Sequence, residues 1–596
     1  MRRSNPSSGI SSRKFVRIYL TLRMLSQEIQ NKIAHARTIT DPHSDAGYVG
    51  FENIGELIFK RAREYDTKPY LIFYGLNGKR REDNYKDFFM LCGMCANMMY
   101  SYGLRRGDRI ATISHNHADT VIQYFAAWLM GICIVPISLS EDDNRIHYIL
   151  ENSGVKLVFL HKDYLDRVIP IVDSIATIKV TVVCGNVSDQ NEPPPHSSED
   201  IKWFDNELAE AKSIFTSDEA VTKEDEALIV YTSGTTGNPK GVVLTQYNLL
   251  ADAKGISEWH GITNSQRIMC VLPIHHVNGT IVTLVTPMYA GATIILNQKF
   301  RSEHFFERIE KEKVSIVSVV PTLLAFLLEY NKLNPRFQPK PQTLRHIICG
   351  AGPLTVELGE QFENTFGIRI VHGYGLSETT CYSCYLPISL NDTEHIHWMR
   401  NYGFPSIGCA IPQNEMMIAD EEGHELVPSQ KGEIAIRGFN VMKYYYNNDE
   451  ANGKTFSYGW FRSGDEGFYE LDRKGNKYFF ITGRLKELII RGGVNISPLE
   501  IDEVIARCPG IKTGIAVGFE NDFYGEEVGA YVQKMDGANI SEEDVITFCK
   551  ENLPFSKVPK VVLFGDGIPV TSTGKYQRNR CKALFAKWRS VQFRKS

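Results

Sequence analysis

Residues 231–241, Tyr-Thr-Ser-Gly-Thr-Thr-Gly-Asn-Pro-Lys-Gly, decide how the rest of this chain is read. They follow an apolar run, Ala227 to Val230, that reads as a buried strand. Gly234, Gly237 and Gly241 let the backbone turn sharply and bring its N–H groups close to an anion. Thr232, Ser233, Thr235 and Thr236 add hydroxyl donors, and Lys240 adds a charge. Such a loop is suited to phosphate oxygens. A flexible surface turn is the competing reading, because Ser/Thr/Gly clusters mark loops in general. It is not a Walker A loop, since Pro239 sits where the second glycine of G-x-x-x-x-G-K-[ST] belongs.

At 596 residues the chain exceeds what one hydrophobic core supports, so two or more domains are expected. With 43% hydrophobic and 23% charged residues, it has the composition of a globular protein. The net charge of −4 argues against a polyanion-binding surface and hence against a nucleic-acid partner. The C-terminal tail is an exception: from Gly567 to Ser596 there is no acidic residue, and Lys575, Arg578, Arg580, Lys582, Lys587, Arg589, Arg594 and Lys595 are cationic. That tail reads equally as an attractor for coenzyme A phosphates or an acidic carrier protein and as a solvated helical end. Twelve cysteines without secreted-domain spacing point to a reducing compartment, and the pairs Cys92/Cys95 and Cys381/Cys384 read as chance. The longest apolar stretch, Tyr124 to Leu139, is too short for a membrane span and is interrupted by Gly131 and Pro136. A soluble, cytoplasmic protein is expected. Arg2, Arg3, Arg13, Lys14, Arg17 and Arg23 all precede the first acidic residue, Glu28. Residues 1–27 therefore leave mitochondrial targeting open beside a disordered basic extension or a start codon assigned too early.

From Phe51 onward helical stretches alternate with short β-rich runs: helix 54–65, strand 70–73, helix 85–102, strand 108–113, helix 120–130, strand 133–137, and strands at 156–160 and 179–184. Such alternation indicates parallel α/β layers. Residues 185–222 read as a polar, proline-bearing excursion. The alternation resumes at 268–272, 293–296, 315–320 and 346–349, followed by a β-rich portion over 415–437 and 468–481. Past 483–486 comes a compact α+β unit with strands at 488–490, 515–517 and 528–533 and helices at 498–507 and 541–552. The fold class expected is α/β: a large N-terminal domain of layered α/β subdomains with a β-rich portion, then a small α+β C-terminal domain.

Five further stretches carry chemistry. They are Gly350-Ala-Gly-Pro-Leu354, Gly373-Tyr-Gly-Leu-Ser-Glu-Thr-Thr380, Tyr458-Gly-Trp-Phe-Arg-Ser-Gly-Asp-Glu-Gly467, Gly483-Arg-Leu-Lys486 with Arg491-Gly-Gly-Val-Asn-Ile-Ser-Pro498, and Pro569-Val-Thr-Ser-Thr-Gly-Lys-Tyr-Gln-Arg578. Together with the 231–241 loop, and in the same order, they resemble the motifs of the adenylate-forming superfamily of acyl- and aryl-CoA synthetases, adenylation domains and beetle luciferases. The resemblance covers roughly residues 46–590. It implies a basic extension over 1–45, an AMP-binding domain over 46–485 and a mobile lid over 487–590.

The resemblance also implies roles. Pyrophosphate would lie against Thr232–Gly237 and Lys240; Gly350, Ala351 and Gly352 would border adenine, and Gly373, Tyr374 and Gly375 would lead into the site. Tyr374 would stack on adenine, Ser377 would reach the phosphates, and Glu378 would hold Mg²⁺, a cation that prefers carboxylate oxygens. Asp465 would accept from the ribose hydroxyls, with Arg484 as a second ribose contact. Lys486 would be the hinge, and Gly492 and Gly493 would let a pantetheine arm pass close to backbone. Lys575 would bridge the acid carboxylate and the α-phosphate during adenylation only; the following Tyr576 departs from the family's aliphatic residue.

Leu272-Pro-Ile-His-His-Val-Asn-Gly279 resembles the family's L-P-x-[FH]-H-x-x-G, which implies that His276 gates the carboxylate site while His275 takes a usually aromatic place. No acidic residue occurs between Arg267 and Lys299, which argues against amino-acid substrates. The bulk of Tyr382 favours a short or medium acyl chain; a polar or aromatic acid stays open. The leading expectation is an AMP-forming acyl-CoA ligase using ATP, Mg²⁺ and coenzyme A. An enzyme that loads a carrier protein's phosphopantetheine is the runner-up, and a non-catalytic nucleotide-binding regulator is the alternative from another class.

Overall fold

The computed structural model describes residues 25–40, 47–185, 201–232, 238–336, 339, 341–570 and 576–593. Among these, two twisted, largely parallel sheets form the body. In the first, strands Ile370–Tyr374, His346–Cys349, Ile316–Val319, Arg267–Cys270, Thr293–Asn297 and Pro69–Tyr74 run parallel in that spatial order, with short antiparallel strands at both edges. In the second, Glu226–Thr232, Cys133–Ile137, Arg109–Ile113, Leu157–His161, Val180–Cys184 and Ile201–Trp203 run parallel. Helices such as Ala118–Leu129, buried over nearly its whole surface, lie between the sheets, as parallel strands with two covered faces require.

The strand leading into the 231–241 loop does not pass to a helix. It turns back as an antiparallel partner, Lys240–Thr245, with Thr232 opposite Lys240. The described flanks of the phosphate-loop candidate are therefore paired strands of one hairpin. Val242–Leu244 are buried there, so the second strand is held by core packing on the sheet's covered face.

A four-stranded antiparallel sheet, Asn414–Ala419, Gly432–Gly438, Phe461–Leu471 and Lys477–Arg484, supplies the β-rich portion. Beyond it Ile489–Arg491, Val494–Ile496, Ile511–Asn521, Gly525–Lys534 and Val561–Phe564 make a separate small sheet covered by helices Pro498–Ala506 and Glu542–Asn552. The large apolar core extends to Phe480, and the clusters of the small unit begin at Ile489. The chain's apolar packing thus divides across the 481–488 stretch that holds Arg484 and Lys486.

One expectation needs correction. The N-terminal extension is not unstructured over its whole length: Gln27–Ala36 is a helix capped by Ser26, and Ile33 and Ala36 are buried in the main core. Thr40 donates its backbone N–H and its hydroxyl to the Glu415 carboxylate (2.6 and 2.8 Å), which also pairs with Arg437. An apolar helix face and this ion network are enough to fix 25–40; the arginines at 2–23 lie outside the described residues. In the basic tail, three of the cations are paired from within. Arg578 is buried against Asp502, Lys582 pairs with Glu526, and Arg589 with Asp522 and Glu520. No helix among the described residues is long and apolar enough to cross a membrane.

Candidate active site

The site is built where strand ends of the first sheet, the antiparallel sheet and the small C-terminal unit meet. Strand Ile370–Tyr374 delivers Tyr374, whose hydroxyl donates to Asp465 Oδ2 at 2.7 Å. Asp465 lies on Phe461–Leu471 directly opposite Arg484 on Lys477–Arg484, and Arg484 Nε is 3.2 Å from Asp465 Oδ1. The turn before Asp465 is fixed by Gly464 N–H donating to Glu433 (2.8 Å) and by Asp465 N–H donating to Ser463 Oγ (3.0 Å). Asp465 is only 4% exposed. Its charge, ahead of the opposing effect of burial, holds the Arg484 guanidinium above its ordinary pKa.

Two glycines here are dictated by contact. A Cβ on Gly373 would meet the Tyr385 ring at 2.2 Å, and one on Gly375 would meet the Cys381 carbonyl oxygen at 1.9 Å. Non-glycine residues at positive φ also gather at the site: Ala351 (61°) in the 350–354 turn and Thr380 (62°) next to the Ser377–Thr379 turn. Backbone of this kind persists only where its surroundings over-determine it; Thr380 is fully buried and donates to the Asn440 carbonyl at 2.6 Å.

Glu378 accepts from the Tyr445 hydroxyl at 2.8 Å, and Lys240 Nζ stands 4.8 Å from the centre of the Tyr445 ring. Burial and, next, the Lys486 charge push the Lys240 ammonium below its ordinary pKa, with Glu378 opposing. Lys240, Glu378 and Lys486 therefore share one electrostatic neighbourhood although 246 residues of sequence separate the first from the last. Ser233, Gly234, Thr235, Thr236 and Gly237 lie outside the described residues, as does Lys575. Their flanks are in place: Thr232 and Lys240 pair at the base of the hairpin, and Val570 bridges Tyr576 around 571–575.

A cleft of about 1680 Å³ opens between the body and the small unit. Ala351, Gly352, Gly373, Tyr374, Gly375, Asp465 and Arg484 line it on one side, and Lys512, Val570, Tyr576 and Gln577 on the other. Gly350, Thr232, Lys240, Ser377, Glu378, His276 and Lys486 are not part of that lining, and neither are Gly492 and Gly493, at φ 58° and 84°. Gly492 N–H instead donates to the Tyr524 carbonyl (2.8 Å) on the small unit. The small unit is seated by Val356 N–H donating to the Glu503 carboxylate (3.2 Å) and by Lys512 pairing with Glu329 (2.8 Å).

The 272–279 segment leads into a wide-turned helix, Asn278–Val285. His276 packs its ring against His275, centroids 4.5 Å apart, and burial lowers the His275 imidazole to about 4. Asn278 Nδ2 donates to the Tyr382 hydroxyl (3.0 Å), and Ser318 Oγ donates to Asn278 Oδ1 (2.7 Å). Tyr382 is fully enclosed and stacked on Tyr385 at 4.4 Å. Sequence reading missed Tyr445, Asn278 and Ser318. The tyrosine run 444–446 was the available signal for the first; Asn278 lies within the 272–279 motif and Ser318 within 317–321, read as a pocket wall, but their bonds to Tyr382 and to each other show no pattern before folding.

The family model for the AMP-binding enzyme matches residues 58–446, and that for the AMP-binding enzyme C-terminal domain matches 500–575. This chain belongs to the AMP-binding enzyme family. It is an AMP-forming acid–thiol ligase of the adenylate-forming superfamily. The chain is 32% identical to an oxalate–CoA ligase of Arabidopsis thaliana over 80% of its own length and 88% of that protein. It is 30% identical to a sulfoacetate–CoA ligase of Cupriavidus necator over 89% of itself and 97% of that protein. Among solved structures, ATP-bound MatB from Rhodopseudomonas palustris superposes with a TM-score of 0.77 at 25% identity, over 89% of this chain and 99% of that one. The mixed α/β body with its smaller C-terminal unit is the arrangement of adenylate-forming enzymes.

Proposed function

We propose that this member of the AMP-binding family activates a short, polar carboxylic acid with Mg-ATP, forming acyl-AMP and pyrophosphate, and then passes the acyl group to the thiol of free coenzyme A. The observation that carries the choice of acid is the enclosed Tyr382, hydrogen-bonded to Asn278, which is bonded in turn to Ser318. In this reading these groups would close the acid's end of the site with a polar wall, which favours an acid that can pair with it over an alkyl chain that cannot. The small acids named for the Arabidopsis and Cupriavidus relatives agree with this reading.

Each residue then has a task. Residues 233–237 and Lys240 take the outer phosphates, Ser377 donates to them, and Asp465 with Arg484 takes the ribose beside Tyr374 and the 350–352 turn. Asp465 retains acceptor capacity for this, since each carboxylate oxygen has two lone pairs and one donor so far. The Glu378 carboxylate, oriented by Tyr445, fits a hard divalent cation, and Mg²⁺ held there would neutralise phosphate charge. His276 gates the carboxylate, and Lys575 neutralises charge as the carboxylate oxygen attacks the α-phosphorus and pyrophosphate leaves. Val570 and Tyr576 in the cleft, with Gly492 and Gly493 away from it, support an adenylation pose. Rotation about Lys486 would then exchange Lys575 for the two glycines.

Twelve free cysteines, nearly all buried, suit a reducing cytoplasmic setting. The deciding experiment is acid-dependent exchange of labelled pyrophosphate into ATP over a panel of acids, followed by thioester formation with free coenzyme A and with a carrier protein. The expected outcome is exchange with short polar acids, not long-chain ones, and transfer to free coenzyme A. Exchange confined to long-chain acids would overturn the choice of acid.

A further inference from the structure

Strands Arg109–Ile113 and Leu157–His161 are parallel neighbours, with Ile113 beside Leu160, and both end at the same rim of the second sheet. Ligands of open parallel sheets gather outside the carboxyl ends of strands. His115 follows the first strand by two residues, His161 closes the second, and Asp163 sits in the Lys162–Tyr164 turn just after it. The two imidazole rings lie 5.3 Å apart. His161 Nδ1 is 3.4 Å and His115 Nε2 is 4.0 Å from Asp163 Oδ2, and one donor atom from each of the three side chains falls within 4.8 Å of the others.

We propose that His115, His161 and Asp163 form a transition-metal site, with Zn²⁺ as the ion it takes, separate from the magnesium carboxylate Glu378. Metal–ligand distances of about 2.0–2.1 Å in a tetrahedral site put ligand atoms about 3.3 Å apart. The His161–Asp163 edge already has that length; the His115–Asp163 edge, at 4.0 Å, and the His115–His161 edge, within 4.8 Å, close by movement of the exposed Asp163 side chain and of half-buried His115. The donors choose the metal: two imidazoles and one carboxylate suit Zn²⁺ and its neighbours, whereas Mg²⁺ and Ca²⁺ want oxygen ligands.

His161 is 5% exposed, with Nε2 turned against Gly185, where a Cβ would stand 2.7 Å away; its Nδ1 is the atom on the Asp163 side. Binding would exchange two local contacts, the long Asp163 N–H to His161 Nδ1 bond at 3.3 Å and the ordinary hydrogen bond between the Tyr164 hydroxyl and His115 Nε2 at 2.8 Å, for metal bonds.

The site is coupled to the acid pocket through one residue. Asn116, next to His115, donates to the Leu272 carbonyl (2.9 Å) and accepts from Ile274 N–H (2.8 Å). A metal there would immobilise the 114–117 loop and the 272–276 segment bearing His275 and His276. It is a clamp behind the carboxylate gate, with no part in the chemistry.

The test titrates Zn²⁺ into the full-length protein by calorimetry with Mg²⁺ in large excess to mask Glu378, and compares His115→Gln and Asp163→Asn, chosen because both positions are partly exposed. Binding of one ion at micromolar Kd, weakened at least tenfold in each variant, is expected. Co²⁺ should show tetrahedral ligand-field absorption, and Zn²⁺ should slow hydrogen exchange at 114–117 and 272–276. Unchanged melting in EDTA would establish that the variants are folded. Absence of binding below about 100 μM, an affinity unaltered in both folded variants, or protection located elsewhere would overturn the proposal.

Discussion

Asp465 and Arg484 face each other across adjacent antiparallel strands, and Asp465 is at the same time the acceptor of the Tyr374 hydroxyl. Two side chains from two other strands thus hold one carboxylate before any ligand arrives. In Asp465→Asn the amide oxygen can still accept from Tyr374, but the charge that suits ribose hydroxyls and Arg484 is lost. A charge-assisted hydrogen bond contributes about 1.5–3 kcal/mol, so the KM for ATP should rise roughly 10- to 100-fold. Steady-state pyrophosphate release with ATP varied, alongside thermal melting, checks this; an unchanged ATP KM in a folded variant removes Asp465 from the nucleotide site.

Lys575 is assigned to the first half-reaction alone. Val570 and Tyr576, which bridge at the base of its loop, line the same cleft as Tyr374 and Asp465. Lys575→Ala should slow acyl-AMP formation by about 10²–10³-fold, the cost of losing one preorganised charge contact at a transition state. Thioester formation from supplied acyl-AMP should stay near the wild-type rate. Equal loss of both steps would show that the residue does more than adenylation.

Glu503 ties the seating of the small unit to pH. Its carboxylate accepts from Val356 N–H at the start of helix Val356–Phe366, and burial raises it to about 8. A carboxylate raised on docking is protonated in the docked pose and ionised when free. The docked pose gains most below the ordinary carboxylate pKa of 4.5 and loses that gain as pH rises through about 8. Distance measurements between fluorophores on body and small unit should show docking weakening from pH 6 to 9, with Glu503→Gln flattening the dependence. By contrast Glu329→Ala, which removes an exposed partner of Lys512, should change docking by no more than about 1 kcal/mol.

Asp252 makes a second pH prediction, on stability. It is fully buried beneath Tyr382 and accepts from Asn440 Nδ2 (2.9 Å), Gln413 Nε2 (3.0 Å) and Tyr382 N–H (3.4 Å). Burial outweighs these donors and raises its carboxyl to about 7. The folded state therefore holds a proton that the unfolded state releases at about 3.8, and stability falls as pH rises between those values. The contribution is on the order of 4 kcal/mol across that window. Urea unfolding at several pH values should show a shallower decline in Asp252→Asn than in the wild type; parallel curves would place the proton elsewhere.

What the sequence made legible follows from how local each signal is. Helix Ile54–Tyr65 and strand Cys133–Ile137 lie at the residues read from periodicity and apolar runs, because the pattern and its cause occupy the same few residues. The motif stretches were legible because each is continuous in sequence. The return of 240–245 as a hairpin partner was not, since an apolar run does not say which strand it pairs with. The link from Asn278 to Tyr382 spans 104 residues, and the meeting of His115 with His161 depends on two strands becoming neighbours. Sheet order creates these contacts, and no local pattern records it.

Tyr382 is where the reading of the substrate is most exposed to test. Its ring is stacked on Tyr385 and its hydroxyl accepts from Asn278. A Cβ on Gly350 would meet that hydroxyl at 2.6 Å, so the 350–354 turn packs directly on the tyrosine. Tyr382→Phe keeps the shape but leaves the Asn278 amide without its acceptor, which costs about 1–3 kcal/mol. That cost should appear as lower stability and as a relative loss of kcat/KM for polar acids against apolar acids of equal length. Tyr382→Ala removes the ring and should destabilise the protein by about 3–5 kcal/mol, while opening room for several methylene groups. At low temperature, where the variant stays folded, exchange should extend to longer acids whose binding improves with each added carbon. If the folded Ala variant keeps the wild-type order of acids, the pocket ends elsewhere and Tyr382 is a core residue only.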